Sequence, residues 1–261
     1  MSEAAPAGRL PAKQTAQTRN GPLRYIVSGQ GAPTIVLFNG AGITLQGWRH
    51  LYPEIEALGT VFAWNRFGAG GSGRPVKPQT GAAVLASLRE LLAHAGLQPP
   101  YVLVGHSMGG LYANLFARTY PQETAALLLL EATHPRDRAM LKGHEEQLAK
   151  VLQKLMSAPQ HRFRANLRAE LSQIDNIARE LAAAPPFPDV PLTVVTGGKA
   201  PPKWLMPPAA LLNKLDNQRA LAALSPQGRQ VIAEHSGHFP QLSEPGLVFQ
   251  ELARLLASSA A

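Results

Sequence analysis

The sequence predicts an α/β fold: a mostly parallel sheet with helices on both faces, broken once by a helical insertion. Three observations lead there. Short aliphatic runs alternate with stretches whose apolar residues recur at helical spacing. The runs are apolar throughout rather than at every second position, as strands covered on both faces require. The alternation stops at Pro135, gives way to a polar, helix-rich stretch, and then resumes.

Taken in order, residues 1–20 run through Ala, Pro, Gly, Lys and Gln and read as a flexible leading tail. Strands are expected over residues 23–27, 34–38, 61–64, 101–104 and 125–130, with helices over 45–58, 82–95 and 108–120. The core so defined comprises residues 21–134 and 189–261, and the insertion residues 135–188. Within the insertion, residues 145–155 and 163–181 are amphipathic, and Pro185, Pro186 and Pro188 punctuate its end, because proline halts helices. Strands over 192–196 and 230–233 and helices over 209–224 and 245–257 complete the rhythm.

Composition narrows the function. A chain of 261 residues suits one core with an insertion, since single cores grow to about 250–300 residues before dividing. Hydrophobic residues at 45% and charged residues at 16% are those of a globular chain, which excludes disorder throughout. The net charge of +8 would attract polyanions, yet the basic residues are scattered apart from Arg162, Arg164 and Arg168, and no recognition motif accompanies them. No specific nucleic-acid partner is therefore expected. The absence of cysteine excludes disulfides, thiolate metal sites and a cysteine nucleophile, and no metal site is expected. With no apolar leader and no apolar run near the about 18 residues of a membrane span, a soluble cytoplasmic protein is expected.

The strongest local signal is Gly105-His106-Ser107-Met108-Gly109, a G-x-S-x-G directly after a strand and opening a helix. A serine raised on so sharp a turn needs nearly side-chain-free neighbours two residues away on either side, and Gly105 and Gly109 supply them. The following helix aims its N-terminal N–H groups at the point where negative charge develops in acyl transfer. Ser107 is the candidate nucleophile.

A serine hydroxyl needs a base, held in turn by a carboxylate, in the order Ser, acid, His. His238 lies in Ser236-Gly237-His238-Phe239, between the last strand and the last helix, where a loop can carry it over Ser107. His235 stands too close to the strand. The acid is expected at Glu131, which ends the apolar run 127–130, because a carboxylate at the end of a buried strand is costly without a partner. The strand after the insertion ends in Thr196-Gly197-Gly198-Lys199 and offers no carboxylate; Asp137 and Asp216 are the alternatives. For the oxyanion, the Met108 N–H and a main-chain N–H from the glycine-rich loop after residue 38, that of Ala41, are the expected donors. Asn39, Gly40, His106 and His134 are expected to contact substrate. Leu141, Leu148 and Phe163 are candidates for a pocket wall or for the insertion's own core, as are Trp48 and Trp204.

These residues resemble the α/β-hydrolase superfamily over nearly the whole chain after the tail. The resemblance is to small bacterial serine hydrolases of esterase type with a V-G-H-S-x-G-G-L-Y-A segment, here residues 104–113. Residues 64–72 (Trp-Asn-Arg-Phe-Gly-Ala-Gly-Gly-Ser), 128–135, and 224–226 leading to Ser236-Gly237-His238 match as well. The resemblance implies an eight-stranded sheet, a helical cap formed by the insertion, and no cofactor. Two departures stand out: Asn65 replaces a common Asp in its loop, and Glu131 a common Asp. Ser107 argues against the branches that use an aspartate nucleophile.

The expected activity is hydrolysis of a carboxylic ester or related acyl bond of a small molecule by a Ser-His-Glu triad and an acyl-enzyme. Acyl transfer, perhydrolysis or carbon–carbon hydrolysis by the same triad, and a silent hydrolase-fold receptor or scaffold, stay open, as do the acyl group, the leaving group and the oligomeric state.

Overall fold

The structure, a computed structural model, describes residues 10–137, 160–202 and 206–259. Leu141, Leu148, Trp204 and the helix expected over 145–155 lie outside the described residues, as do the side chains of Arg162, Phe163 and Arg164.

Eight strands form one sheet in the order β1-β2-β4-β3-β5-β6-β7-β8. They are β1 (Gln14–Thr18), β2 (Gly21–Ser28), β3 (Thr34–Phe38), β4 (Thr60–Trp64), β5 (Tyr101–His106), β6 (Thr124–Leu130), β7 (Leu192–Gly197) and β8 (Gly228–Ala233). From β4 to β8 the neighbours are parallel, and only β1–β2 and β2–β4 run antiparallel. The helices are α1 (Tyr52–Ile55), α2 (Gly81–His94), α3 (Met108–Thr119), α4 (Gln160–Leu171), α5 (Ile174–Ala183), α6 (Pro208–Ala222), α7 (Pro240–Ser243) and α8 (Pro245–Ser259).

The continuously apolar strands feed two cores at once. Leu103 of β5 packs into one cluster with Phe38, Phe116 and Leu129, whereas Val102 and Val104 face the other with Leu128, Val195 and Leu252. Successive strand residues point to opposite faces, so a strand covered on both sides must be apolar at every position. Each Leu or Val so buried contributes about 1.5–3 kcal/mol. Helices α2 and α3 cover the first face and α8 the second.

Three expectations are corrected. The tail to residue 20 instead contributes β1, an edge strand in register with β2 through Thr18↔Gly21. Its polar sequence hides it, since only Ala16 and Thr18 turn inward, and the two-residue turn Arg19-Asn20 closes the hairpin onto Gly21. The single helix expected over 45–58 is broken into 3-10 turns around the short α1. Likewise the amphipathic stretch over 163–181 divides at Ser172-Gln173 into α4 and α5. On α5, Ile174, Ile177 and Leu181 form the buried face and join the core that contains α3.

No helix among the described residues is long and apolar enough to cross a membrane.

Candidate active site

Parallel strands deliver their following loops to one sheet edge, and the chemistry-bearing residues collect there. Ser107 sits between β5 and α3 with φ 52° and ψ −124°, a conformation that side-chain-bearing residues rarely adopt. The glycines around it are required by close approach. A Cβ on Gly109 would lie 2.1 Å from the Phe38 carbonyl oxygen, and one on Gly105 would lie 2.8 Å from the Gly110 Cα. The start of α3 therefore abuts the end of β3, which brings the loop after β3 against the bend. A Cβ on Gly40 would stand 3.3 Å from the Ser107 Cβ.

His238, on the loop between β8 and α7, places Nε2 3.1 Å from Ser107 Oγ. Its Nδ1 faces Glu131 Oε2 at 3.3 Å. With the carboxylate able only to accept, Nδ1 carries the proton and Nε2 is the bare acceptor for the Ser107 hydroxyl.

Glu131 follows β6 with φ 45° and is buried. Its backbone N–H donates to Val195 O at 2.8 Å. Oε1 accepts from the Gly197 N–H at 2.7 Å, at the strand end that offers no carboxylate. Oε2 lies 2.5 Å from Lys214 Nζ on α6. Burial pushes the Glu131 carboxyl up, but the hydrogen bond from His238 and the charge of Lys214 outweigh it and hold it at about 2.

The two expected oxyanion donors lie on elements that meet at the bend. Met108 is the first residue of α3, whose amide has no partner within the helix. Around Ala41 the loop is tied at every side. Arg66 donates from Nη1 to Asn39 O and from Nη2 to Gly40 O, each at 2.7 Å, and the Gly42 N–H donates to Glu170 Oε2 at 2.5 Å. Arg66 Nε in turn donates to Glu170 Oε1 at 2.7 Å. Arg66 and Glu170 are both buried, and the carboxylate keeps the guanidinium proton held above its ordinary range although burial opposes it.

Three residues expected at the substrate have other partners. Asn39 is buried, donating to Trp64 O and accepting from Trp48 Nε1, both at 2.6 Å, so it braces the loop and explains Trp48. His106 is buried, its ring against Phe239, and Nε2 donates to the His238 carbonyl at 2.8 Å. Burial, helped by the nearby His238, lowers it to about 3, which keeps it neutral. His134 is half-buried and borders a cleft with Asn114, Arg118, Leu181, Leu221 and Leu224 rather than the bend. Gly40, the fourth of that group, lies against Ser107.

The alternatives for the acid are elsewhere. Asp216 pairs with Arg219 at the surface, Asp137 accepts from the His134 N–H and from Asn217, and His235 is exposed. Asn65 uses the versatility of its amide, accepting from the Leu45 N–H and donating to Gly70 O, a pair of bonds a carboxylate could not make. Sequence reasoning missed Lys214 and Glu170, and treated Arg66 only as part of a matching segment. Among the described residues no group of three or more His, Asp or Glu is placed to hold a metal ion.

Comparison with known proteins agrees with this architecture. The chain is 25% identical over 220 residues to an uncharacterized protein of Bacillus subtilis, YqjL, covering 84% of this chain and 82% of that one. Several other curated relatives match along less than half of their own length. A thermophilic esterase from Thermogutta terrifontis superposes with a TM-score of 0.68 at 21% identity, covering 96% of this chain and all (100%) of that one. An alpha/beta hydrolase fold protein from Burkholderia ambifaria superposes with a TM-score of 0.70 at 18% identity, covering 94% and 98%. At these identities the structures speak to fold. The family described as alpha/beta hydrolase fold matches residues 33–207, from the start of β3 to the start of α6, and with its elbow, sheet order and strand-end loops in place this chain belongs to that family.

Proposed function

We propose that this chain is a serine hydrolase that cleaves a carboxylic ester or related acyl bond of a small molecule through a Ser107-His238-Glu131 triad. The observation that carries the reading is the proton path: Ser107 Oγ, His238 Nε2, His238 Nδ1 and Glu131 Oε2 follow one another at 3.1 and 3.3 Å across the ring. That a fold neighbour is an esterase supports the same class.

In this reading Ser107 Oγ attacks the acyl carbon as its proton passes to His238 Nε2, and Glu131 stabilises the imidazolium. The Met108 and Ala41 amides hold the oxyanion. Collapse breaks the acyl bond, and the leaving alkoxide takes the proton from Nε2. Water then attacks the acyl-enzyme, giving its proton to Nε2, and the carboxylic acid departs as Ser107 recovers its hydroxyl hydrogen. His106 holds the catalytic loop through the His238 carbonyl and takes no proton. The insertion, residues 135–188, acts as a cap on the core of residues 21–134 and 189–261, supported by the reach of Glu170 to the loop of Ala41.

The test is covalent labelling with a fluorophosphonate followed by hydrolysis of p-nitrophenyl esters of increasing chain length. Wild type is expected to take the label at Ser107 and to turn over esters, and Ser107→Ala to lose the label and about 10³-fold or more of kcat. Wild type that takes no label and cleaves no ester is a silent fold, and Ser107→Ala with undiminished turnover overturns the assignment.

A further inference from the structure

The triad acid serves two donors through one oxygen. Glu131 Oε2 receives Lys214 Nζ at 2.5 Å and His238 Nδ1 at 3.3 Å, while Oε1 is occupied by the Gly197 N–H. The lysine has the closer contact, and its side chain is mostly buried at 16% exposure beside a carboxylate with none. Such an arrangement has an electrostatic consequence. A carboxylate lowers the energy of the imidazolium beside it, and an ammonium on the same oxygen takes part of that support back.

We propose that Lys214 is a positioning residue of the triad: by gripping Oε2 of Glu131 it sets which oxygen meets His238, and by offsetting the carboxylate's charge it weakens the support that Glu131 gives to a second proton on the imidazole. The inference rests on the Ser107-His238-Glu131 reading above. The other charged and titratable groups around the pair leave Lys214 as the cation that touches the acid. From β5, His106 lies tilted beside His238 with ring centroids 5.0 Å apart, and burial keeps it neutral. After β6, Asp137 faces Lys214 and Glu131, with His134 bonded to it. Just after α7, Glu244 accepts from Ser236 and from the His235 N–H on the loop of His238. Arg66 is spent on Glu170 and the loop carbonyls.

The sign follows directly. Removing the ammonium leaves the imidazolium better stabilised, so His238 holds its proton to higher pH and the acid limb of kcat/KM moves up. In Lys214→Met the limb is expected to rise by about one pH unit. Activity measured below the wild-type limb then falls about tenfold relative to the plateau, and Lys214→Arg keeps the limb at its wild-type position. Lys214→Gln, which retains a donor without the charge, carries the same expectation as Lys214→Met and serves where that variant does not fold. A lysine that merely fills space would lower the plateau without moving the limb. The pH profile of p-nitrophenyl ester hydrolysis is measured together with an NMR titration of His238 in the full chain labelled with ¹⁵N-histidine, its resonance assigned by loss in His238→Gln. An acid limb and a His238 titration that stay put or move down in Lys214→Met and Lys214→Gln overturn the proposal. The hydrolase reading is tested separately: Ser107→Ala with full turnover overturns that one, whereas the NMR titration reads the influence of Lys214 on His238 without any turnover.

Discussion

Glu170, on the inserted helix α4, forms a buried ion pair with Arg66 of the loop after β4, Nε to Oε1 at 2.7 Å. The same two side chains hold the backbone on both sides of Ala41, through Asn39 O, Gly40 O and the Gly42 N–H. The insertion is thereby wired into the proposed oxyanion loop.

Removing one member leaves a buried charge without its partner, which costs about 3–5 kcal/mol. Glu170→Ala is expected to lose stability of that order and, as the Ala41 amide drifts, about 10²-fold in kcat. The double variant Arg66→Met/Glu170→Met is expected to regain much of the stability and little of the kcat. Urea unfolding with steady-state kinetics separates the two effects; a double variant with full kcat would show that the pair does not place the donor.

The backbone at Ser107 stores strain. A serine at φ 52° and ψ −124° costs about 1–3 kcal/mol that glycine does not pay. Ser107→Gly is expected to abolish esterolysis and raise unfolding free energy by about 1 kcal/mol, the remainder being lost to glycine's looser unfolded chain. Denaturant unfolding checks it, and a less stable variant would show that the bend is relaxed.

The acid side of the stability profile depends in part on His106 and Glu131. Both have folded values below their unfolded ones, at about 3 and about 2, so in each case the unfolded chain binds more protons and stability falls with falling pH. The loss attached to His106 begins near its ordinary value of about 6.5 and continues to about 3. That attached to Glu131 runs from about 4.5 to about 2. His106→Gln is expected to flatten the slope between pH 6.5 and 4.5 while leaving the steeper acid part. Unfolding free energies measured across this range decide it, and an unchanged slope would mean that His106 is not buried neutral.

Gly109 has no room for a methyl group, because the clash is with the carbonyl of Phe38 and not with a side chain that can swing away. Gly109→Ala is expected to push α3 off the end of β3, costing about 1–3 kcal/mol and separating the Met108 and Ala41 amides. Thermal unfolding and reactivity toward the fluorophosphonate report the two losses; full labelling would refute the contact.

The strands β3 to β7 and the elbow were legible because their signals are local. A buried parallel strand must be apolar at every position, and a serine on a sharp bend must have glycine two residues before and after. Strand β1 escaped because an edge strand with one solvated face needs few apolar residues, and the helix expected over 45–58 escaped because its periodicity survives in 3-10 turns. Asn39 and His106 looked like substrate contacts from their place in the motif loops, but buried polar groups must find partners, and Trp64, Trp48 and the His238 carbonyl were already within reach.

Fold class, family and the candidate nucleophile, base and acid thus follow from residue order, since hydrophobic pattern and backbone geometry act between near neighbours. The partners of that acid and of the oxyanion loop were settled only when the sheet brought distant segments together. Lys214 carries no motif, and Arg66 and Glu170 stand 104 residues apart, so their meeting depends on where α4 and α6 dock. Charge pairing leaves no period in a chain, and it becomes visible only once burial has removed the water that would otherwise take the partner's place.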